Sequence, residues 1–160
     1  MPLIDIVAGA RPNFMKIAPI IEALETNAAA EIEYRLIHTG QHYDRAMSES
    51  FFEQLGIPEP AVNFGVGGGT QAEQTGGIMI AYEMLLNERL SDLCLVVGDV
   101  TSTMACTITA KKMGVQVAHV EAGIRSGDLS MPEEINRIAT DALTDLFFTT
   151  SETANDELRR

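Results

Sequence analysis

The stretch LCLVVGDVTSTMACTITAKKMGVQVAHVEAG, residues 93–123, decides the fold. Leu93–Val97 is an unbroken apolar run of strand length, the pattern of a strand covered on both faces in a parallel sheet. Helical sequence follows from about Ser102 to Met113, Gly114 ends it, and Val115–Val120 is a second strand. A strand, a helix and another strand in that order imply a right-handed crossover to a parallel neighbour. Each strand stops at a polar cluster, Gly98-Asp99 and Glu121-Ala122-Gly123.

The same alternation extends outward in both directions. Upstream, Leu3–Ala8 reads as a buried strand ending at Gly9, and Pro12 opens a helix whose apolar face is Ile17, Ala18, Ile21 and Leu24. Ile32–His38 is a strand ending in the turn Thr39-Gly40-Gln41-His42, and Met47–Leu55 is a helix stopped by Gly56 and Pro58. Gly65–Gly69 is a connection into a long helix, which Thr70 and Glu73 open with a capping box. Downstream, Ser130 and Glu133 form a second capping box, and the helix it opens is expected to face inward through Ile135, Ile138, Ala139 and Ala142. Leu146–Thr149 is a last strand, and Ser151 starts a final helix. The fold class expected is therefore α/β, a three-layer doubly wound parallel sheet. The 160 residues suit one domain, and the stop inside a helix at Arg159-Arg160 reads as a cut at a domain boundary.

Composition excludes several function classes. A net charge of −12 argues against nucleic acid and anionic membrane as partners, while leaving room for a small anionic ligand held by a few local cations. No apolar run approaches the ~20 residues that span a membrane, and the first residues lack a basic leader segment, so a cytoplasmic location is expected. Cys94 and Cys106 lie in apolar segments and read as reduced, buried thiols. Neither Gly9-Ala10-Arg11 nor Gly67-Gly68-Gly69 fits a dinucleotide fingerprint or a Walker phosphate loop, so no redox cofactor is expected. His38, His42 and His119 lack zinc-ligand spacing, so no metal is expected either. His119 reads as a satisfied sheet residue, and His42, in a loop, as a better functional candidate.

In an open parallel sheet, ligands bind beyond the carboxyl ends of the strands. Asp99 and Glu121 close consecutive strands, and strand neighbours lie ~4.8 Å apart, so both carboxylates can reach one hollow. Paired carboxylates in a partly desolvated cleft divide into an acid and a base. Each residue also has a plainer reading. Asp99 can cap the following helix, and Glu121 can pair with Arg125. Glu133 can serve its capping box or an i, i+4 pair with Arg137.

Taken together, Gly9-Ala10-Arg11-Pro12 with Lys16 and Ala18-Pro19, Thr39-Gly40-Gln41-His42, Val97-Gly98-Asp99, His119–Arg125 and Pro132-Glu133-Glu134-Ile135-Asn136-Arg137 resemble the non-hydrolysing UDP-N-acetylglucosamine 2-epimerases in order and spacing. The hydrolysing branch carries a different segment at Pro132–Arg137, and Ala10 stands where the family more often has Thr. The resemblance implies the Rossmann-like N-terminal half, residues 1–160, of a GT-B-type two-domain fold, with the C-terminal nucleotide-binding domain outside this chain. It implies a homodimeric isomerase of polysaccharide biosynthesis that interconverts UDP-N-acetylglucosamine and UDP-N-acetylmannosamine without a cofactor. Carried over by motif, Asp99, Glu121 and Glu133 are the catalytic carboxylates. Arg11, Lys16 and Arg137 bind substrate, and Gln41, His42 and Glu134 make loop or second-site contacts. Half a nucleotide site implies that the chain alone is inactive. The competing readings are a sugar-nucleotide transferase half, which would need an acceptor, and a binding or dimerisation domain without activity.

Overall fold

A computed structural model of the chain describes residues 1–27, 31–40 and 45–160. Six parallel strands form one sheet: β1 (Leu3–Ala8), β2 (Glu33–His38), β3 (Val62–Asn63), β4 (Leu93–Val97), β5 (Gln116–Val120) and β6 (Leu146–Phe148). Their order across the sheet is β3-β2-β1-β4-β5-β6, so the chain winds one way from β1 to β3 and the other way from β4 to β6. That reversal leaves a crevice between the carboxyl ends of β1 and β4, where open α/β sheets bind their ligands.

Helices cover both faces. On one, α1 (Arg11–Thr26) and α2 (Arg45–Leu55) close a core of Phe14, Ile17, Ile21 and Phe52 over Ile6, Leu36 and Val97. On the other, α3 (Gln71–Glu88) and α4 (Thr101–Lys112) pack Ile78, Tyr82, Leu86, Ala105 and Cys106 against Val7, Ile37, Val96 and Val117. Beside α4 lies α5 (Pro132–Leu143), and α6 (Glu152–Leu158) ends the chain. None of these helices is long and apolar enough to cross a membrane.

Local sequence sets most of the boundaries. Asn13 reaches back to accept hydrogen bonds from the Gly9 and Ala10 amides, each at 3.0 Å, and so starts α1 where Ala10 has no side chain to do so. Thr70 and Glu73 form the expected reciprocal box, with Glu73 N–H donating to Thr70 Oγ1 at 3.2 Å and Thr70 N–H donating to Glu73 Oε2 at 2.7 Å. Ser151 caps α6 by accepting from the Ala154 amide. The two-residue strand β3 is too short to show a period in sequence.

The start and the facing of α5 differ from expectation. Met131, not Ser130, is its N-cap, and the Ser130 amide and hydroxyl both donate to Asp128, so the Ser130–Glu133 box does not form. Its inward residues are Glu134, Asn136, Thr140 and Asp141, whereas Ile135 and Ile138 are 50% and 41% exposed. For Glu134, Asn136 and Asp141 the physical reason is hydrogen bonding, whereas the Thr140 hydroxyl is buried without a partner among the described residues. The turns after β4 and β5 and the connection at Ser126–Gly127 offer amides and a carbonyl that only polar side chains can satisfy.

Candidate active site

Three strand ends converge at the switch point. Gly98, at the end of β4, has φ +73°, and a Cβ placed there would lie 3.6 Å from Asn13 Nδ2 and 3.7 Å from Glu121 Oε1. The Glu121 carboxylate, from the end of β5, therefore lies over the Gly98 turn beside the first turn of α1. Gly9, at the end of β1, has no room for any side chain, because its Cβ would fall 2.1 Å from the Ser102 hydroxyl. That hydroxyl is in turn bonded to Thr39 at 2.5 Å.

Glu121 is the one non-glycine residue with positive φ, 69°, among those described. This left-handed conformation costs about 1–3 kcal/mol in a non-glycine residue and persists only where its surroundings over-determine it. Lys16 Nζ lies 2.5 Å from Glu121 Oε1. The ammonium approaches off the hydrogen-bonding direction, so Oε1 has charge compensation but no hydrogen-bond partner. The plainer alternative, pairing with Arg125, does not occur, since Arg125 bonds Asp141 at 2.7 Å. Oε1 is the buried, ion-paired oxygen, so it is the rest of this strained, partly exposed carboxylate that can meet a ligand and accept a proton from it.

A second cluster stands on α5. Arg137 donates to Asp99 Oδ2 at 2.5 Å and to Glu134 Oε2 at 3.0 Å, and Asn136 donates to the Asp99 carbonyl at 2.9 Å. Asp99 does not cap α4, whose N-cap is Val100 with no side-chain bond. Burial pulls the Arg137 guanidinium down, yet its bonds to Glu134 and Asp99 outweigh that and raise it above its ordinary value. Glu134 is buried and accepts from the Ser126 amide at 2.9 Å and the Gly127 amide at 3.1 Å. The Ser126 amide bond first, then, against the cost of burial, the Gly127 amide and Arg137, hold its carboxyl down at about 2.

The site residues expected from sequence thus fall into groups. Glu121 meets Lys16 over Gly98, and Asp99 meets Arg137 and Glu134. Glu133 is exposed on the first turn of α5 and makes no hydrogen bond or ion pair among the described residues. Arg11 is exposed and stacks its guanidinium 4.3 Å above the Phe51 ring, so it too stands outside both ion pairs. Gln41 and His42 lie outside the described residues. Sequence reasoning missed Asp141, whose carboxylate gathers His119, Gly123 and Arg125, and Asn13 at the start of α1. An acid at position 141 reads in sequence as one more solvated helix residue.

Parallel strands wound both ways from a switch point lined by ion-paired carboxylates define a Rossmann-like α/β domain of the ligand-binding kind. The family described as UDP-N-acetylglucosamine 2-epimerase matches residues 24–160, and the chain belongs to that family. It is 43% identical over 157 residues to the UDP-N-acetylglucosamine 2-epimerase of Methanocaldococcus jannaschii, a match covering 98% of this chain and 42% of that protein. It is also 43% identical over 154 residues to the UDP-2,3-diacetamido-2,3-dideoxy-D-glucuronate 2-epimerase of Pseudomonas aeruginosa, covering 96% of this chain and 43% of that protein. The crystal structure of the M. jannaschii enzyme in complex with UDP-GlcNAc and UDP superposes with a TM-score of 0.90 at 43% identity, covering 100% of this chain and 43% of that one. A Neisseria meningitidis UDP-GlcNAc 2-epimerase bound to UDP-GlcNAc gives 0.88 at 28% identity, covering 99% and 42%. The chain therefore spans less than half the length of the relatives it matches. Its structural neighbours are GT-B-type epimerases, in agreement with the architecture expected from sequence.

Proposed function

We propose that this chain, residues 1–160, forms the N-terminal half of a non-hydrolysing enzyme that interconverts UDP-N-acetylglucosamine and UDP-N-acetylmannosamine. The observation that carries the reading is Glu121, held in a left-handed conformation with its carboxylate over the Gly98 turn and beside Lys16. The C2 hydrogen of the sugar is not adjacent to a carbonyl, so simple deprotonation and reprotonation is very costly. Elimination avoids that cost. A base takes the C2 proton, the C1–O bond breaks with its electrons leaving on UDP, and a C1=C2 double bond forms. UDP then adds back at C1 while an acid returns the proton to the opposite face of C2.

This route asks for what the site offers, carboxylates as base and acid and cations to steady the departing diphosphate. Asp99, Glu121 and Glu133 take acid–base or sugar-orienting roles, and Arg11, Lys16 and Arg137 bind substrate. Gln41, His42 and Glu134 are assigned to loop or second-site contacts; for Glu134 the support is its pair of bonds to the Ser126–Gly127 backbone. The remaining nucleotide contacts belong to a C-terminal domain of the length its relatives carry, in a cytoplasmic homodimer serving polysaccharide biosynthesis.

The test is hydrogen exchange in deuterated water. The chain joined to such a C-terminal domain is expected to place deuterium at C2 of UDP-N-acetylglucosamine and to form the manno epimer. No exchange with this sugar overturns the proposal, and exchange only with the diacetamido-glucuronate substrate named for the Pseudomonas relative replaces the sugar while keeping the chemistry. The chain alone is expected to be inert, and deuterium at C2 in its presence would refute that.

A further inference from the structure

Asp99 and Glu121 stand at two left-handed turns, and one buried side chain on α5 is linked to both, directly to one and through His119 to the other. Asp141 Oδ1 lies 2.6 Å from His119 Nδ1, near the carboxyl end of β5. The other imidazole nitrogen, Nε2, lies 2.8 Å from the Gly98 carbonyl, one residue before Asp99. Asp141 Oδ2 accepts from the Gly123 amide at 2.9 Å, two residues after Glu121, and from Arg125 Nη1 at 2.7 Å. His119 is fully buried and the Asp141 side chain is 3% exposed. Neither touches the open side of the site, so neither is a catalytic group.

We propose, resting on the epimerase reading, that His119 and Asp141 are positioning residues that hold the Gly98–Asp99 turn and the Glu121–Gly123 turn in register for proton transfer. Three features carry this. A carbonyl oxygen can only accept, so the imidazole donates to Gly98 through Nε2, and Nδ1 on its other side lies within hydrogen-bond distance of the Asp141 carboxylate. The linkage is therefore continuous from the Asp99 turn to the Asp141 carboxylate. The strained backbone of Glu121 is bracketed by bonds that enforce it: Gly98 N–H to the Val120 carbonyl, Ala122 N–H to the Phe148 carbonyl, and Gly123 N–H to Asp141. Of these, only the last depends on a side chain, so Asp141 is where sequence controls the strain. Gly123 itself has φ +80°, and a Cβ there would fall 2.4 Å from the Ala154 carbonyl, so this turn has no slack.

Misplacing a reacting group by about an ångström costs on the order of 100-fold in rate, while ground-state binding need not change. The experiment compares Asp141→Asn, His119→Gln and His119→Leu in the chain joined to its C-terminal domain. Asp141→Asn and His119→Gln are expected to lower kcat by about 10- to 100-fold with KM within about threefold. His119→Gln keeps a donor for the Gly98 carbonyl and is expected to retain more activity than His119→Leu. Crystal structures of the same variants give a readout independent of turnover: in Asp141→Asn, the Glu121 φ is expected to leave the left-handed region or its carboxylate to leave Gly98. If His119→Leu fails to fold, the two more conservative variants decide. An active parent whose Asp141→Asn and His119→Gln variants keep their kcat overturns the positioning role. So does an unmoved Glu121 in Asp141→Asn. An inactive parent overturns the epimerase reading instead, and the variant structures still judge the positioning claim.

Discussion

The helices α1 and α5 are both amphipathic and flank the same switch point, yet they face the sheet with opposite surfaces. On α1 the inward residues are Phe14, Ile17, Ala18 and Ile21, with Asn13 the one polar member where the helix meets the site. On α5 the inward residues are Glu134, Asn136, Thr140 and Asp141, and the apolar Ile135 and Ile138 point outward. The helix α1 is held by apolar burial. The helix α5 is held by bonds to Asp99, His119, Gly123, Ser126 and Gly127. The lesson is that a helix over strand ends can serve as a bracket for loops, and its polar stripe then marks the site better than its apolar stripe marks the core.

The largest effect expected is on turnover. In the chain joined to a C-terminal domain, Glu121→Gln and Asp99→Asn are expected to slow C2 exchange by about 10²- to 10⁴-fold, the ordinary worth of acid–base catalysis, while the thermal midpoint changes little. Near-normal rates in both variants would reduce these carboxylates to structural partners of Lys16 and Arg137. They would also remove the functional half of the contrast between the two helices.

Next comes the apolar half. Ile17 is fully buried on α1, and Ile17→Ala is expected to destabilise the fold by about 2–5 kcal/mol, the range for truncating a core side chain to Ala. Urea unfolding measures it, and a loss below about 1 kcal/mol would mean that α1 is not anchored as its packing indicates.

Much of this was legible in the sequence. The strand at residues 93–97 is apolar throughout, and the face of α1 keeps helical spacing, because burial against a sheet demands it. The Thr70–Glu73 box was legible because capping is local. The facing of α5 was not. Periodicity reports where apolar residues gather, and on α5 they gather on the outside. The strain at Glu121 was not legible either, since nothing in Glu-Ala-Gly distinguishes a left-handed glutamate from an extended one. Of the proposed site, the groups at strand ends were foreseeable from topology, whereas Asp141 needed the fold to bring residues 98, 119 and 123 to one carboxylate.

A smaller effect separates the helices by pH. The Glu134 carboxyl lies at about 2 in the fold against an ordinary 4.5, a lowered value, so its contribution to stability is full above 4.5 and disappears as pH falls toward 2. Glu134→Gln has no such contribution to lose. Its urea midpoint is expected below that of the parent at pH 7, with the gap narrowing at pH 3. A constant gap would show that the two amide bonds from Ser126 and Gly127 do not depend on the charge.

The smallest effect is the sharpest test of which way α5 faces. Ile138 is 41% exposed, three residues before Asp141 and four after Glu134. If the polar stripe faces the sheet, Ile138→Ser in the chain removes little buried surface, and unfolding is expected to shift within about 0.5 kcal/mol, as at other surface positions. If the apolar stripe were the inner one, the same change would bury an unsatisfied hydroxyl and lose a core side chain, costing about 2 kcal/mol or more. The two outcomes differ severalfold. A large loss at Ile138 would therefore turn α5 over, and it would detach Asp141 from His119 and Gly123 without any measurement of activity.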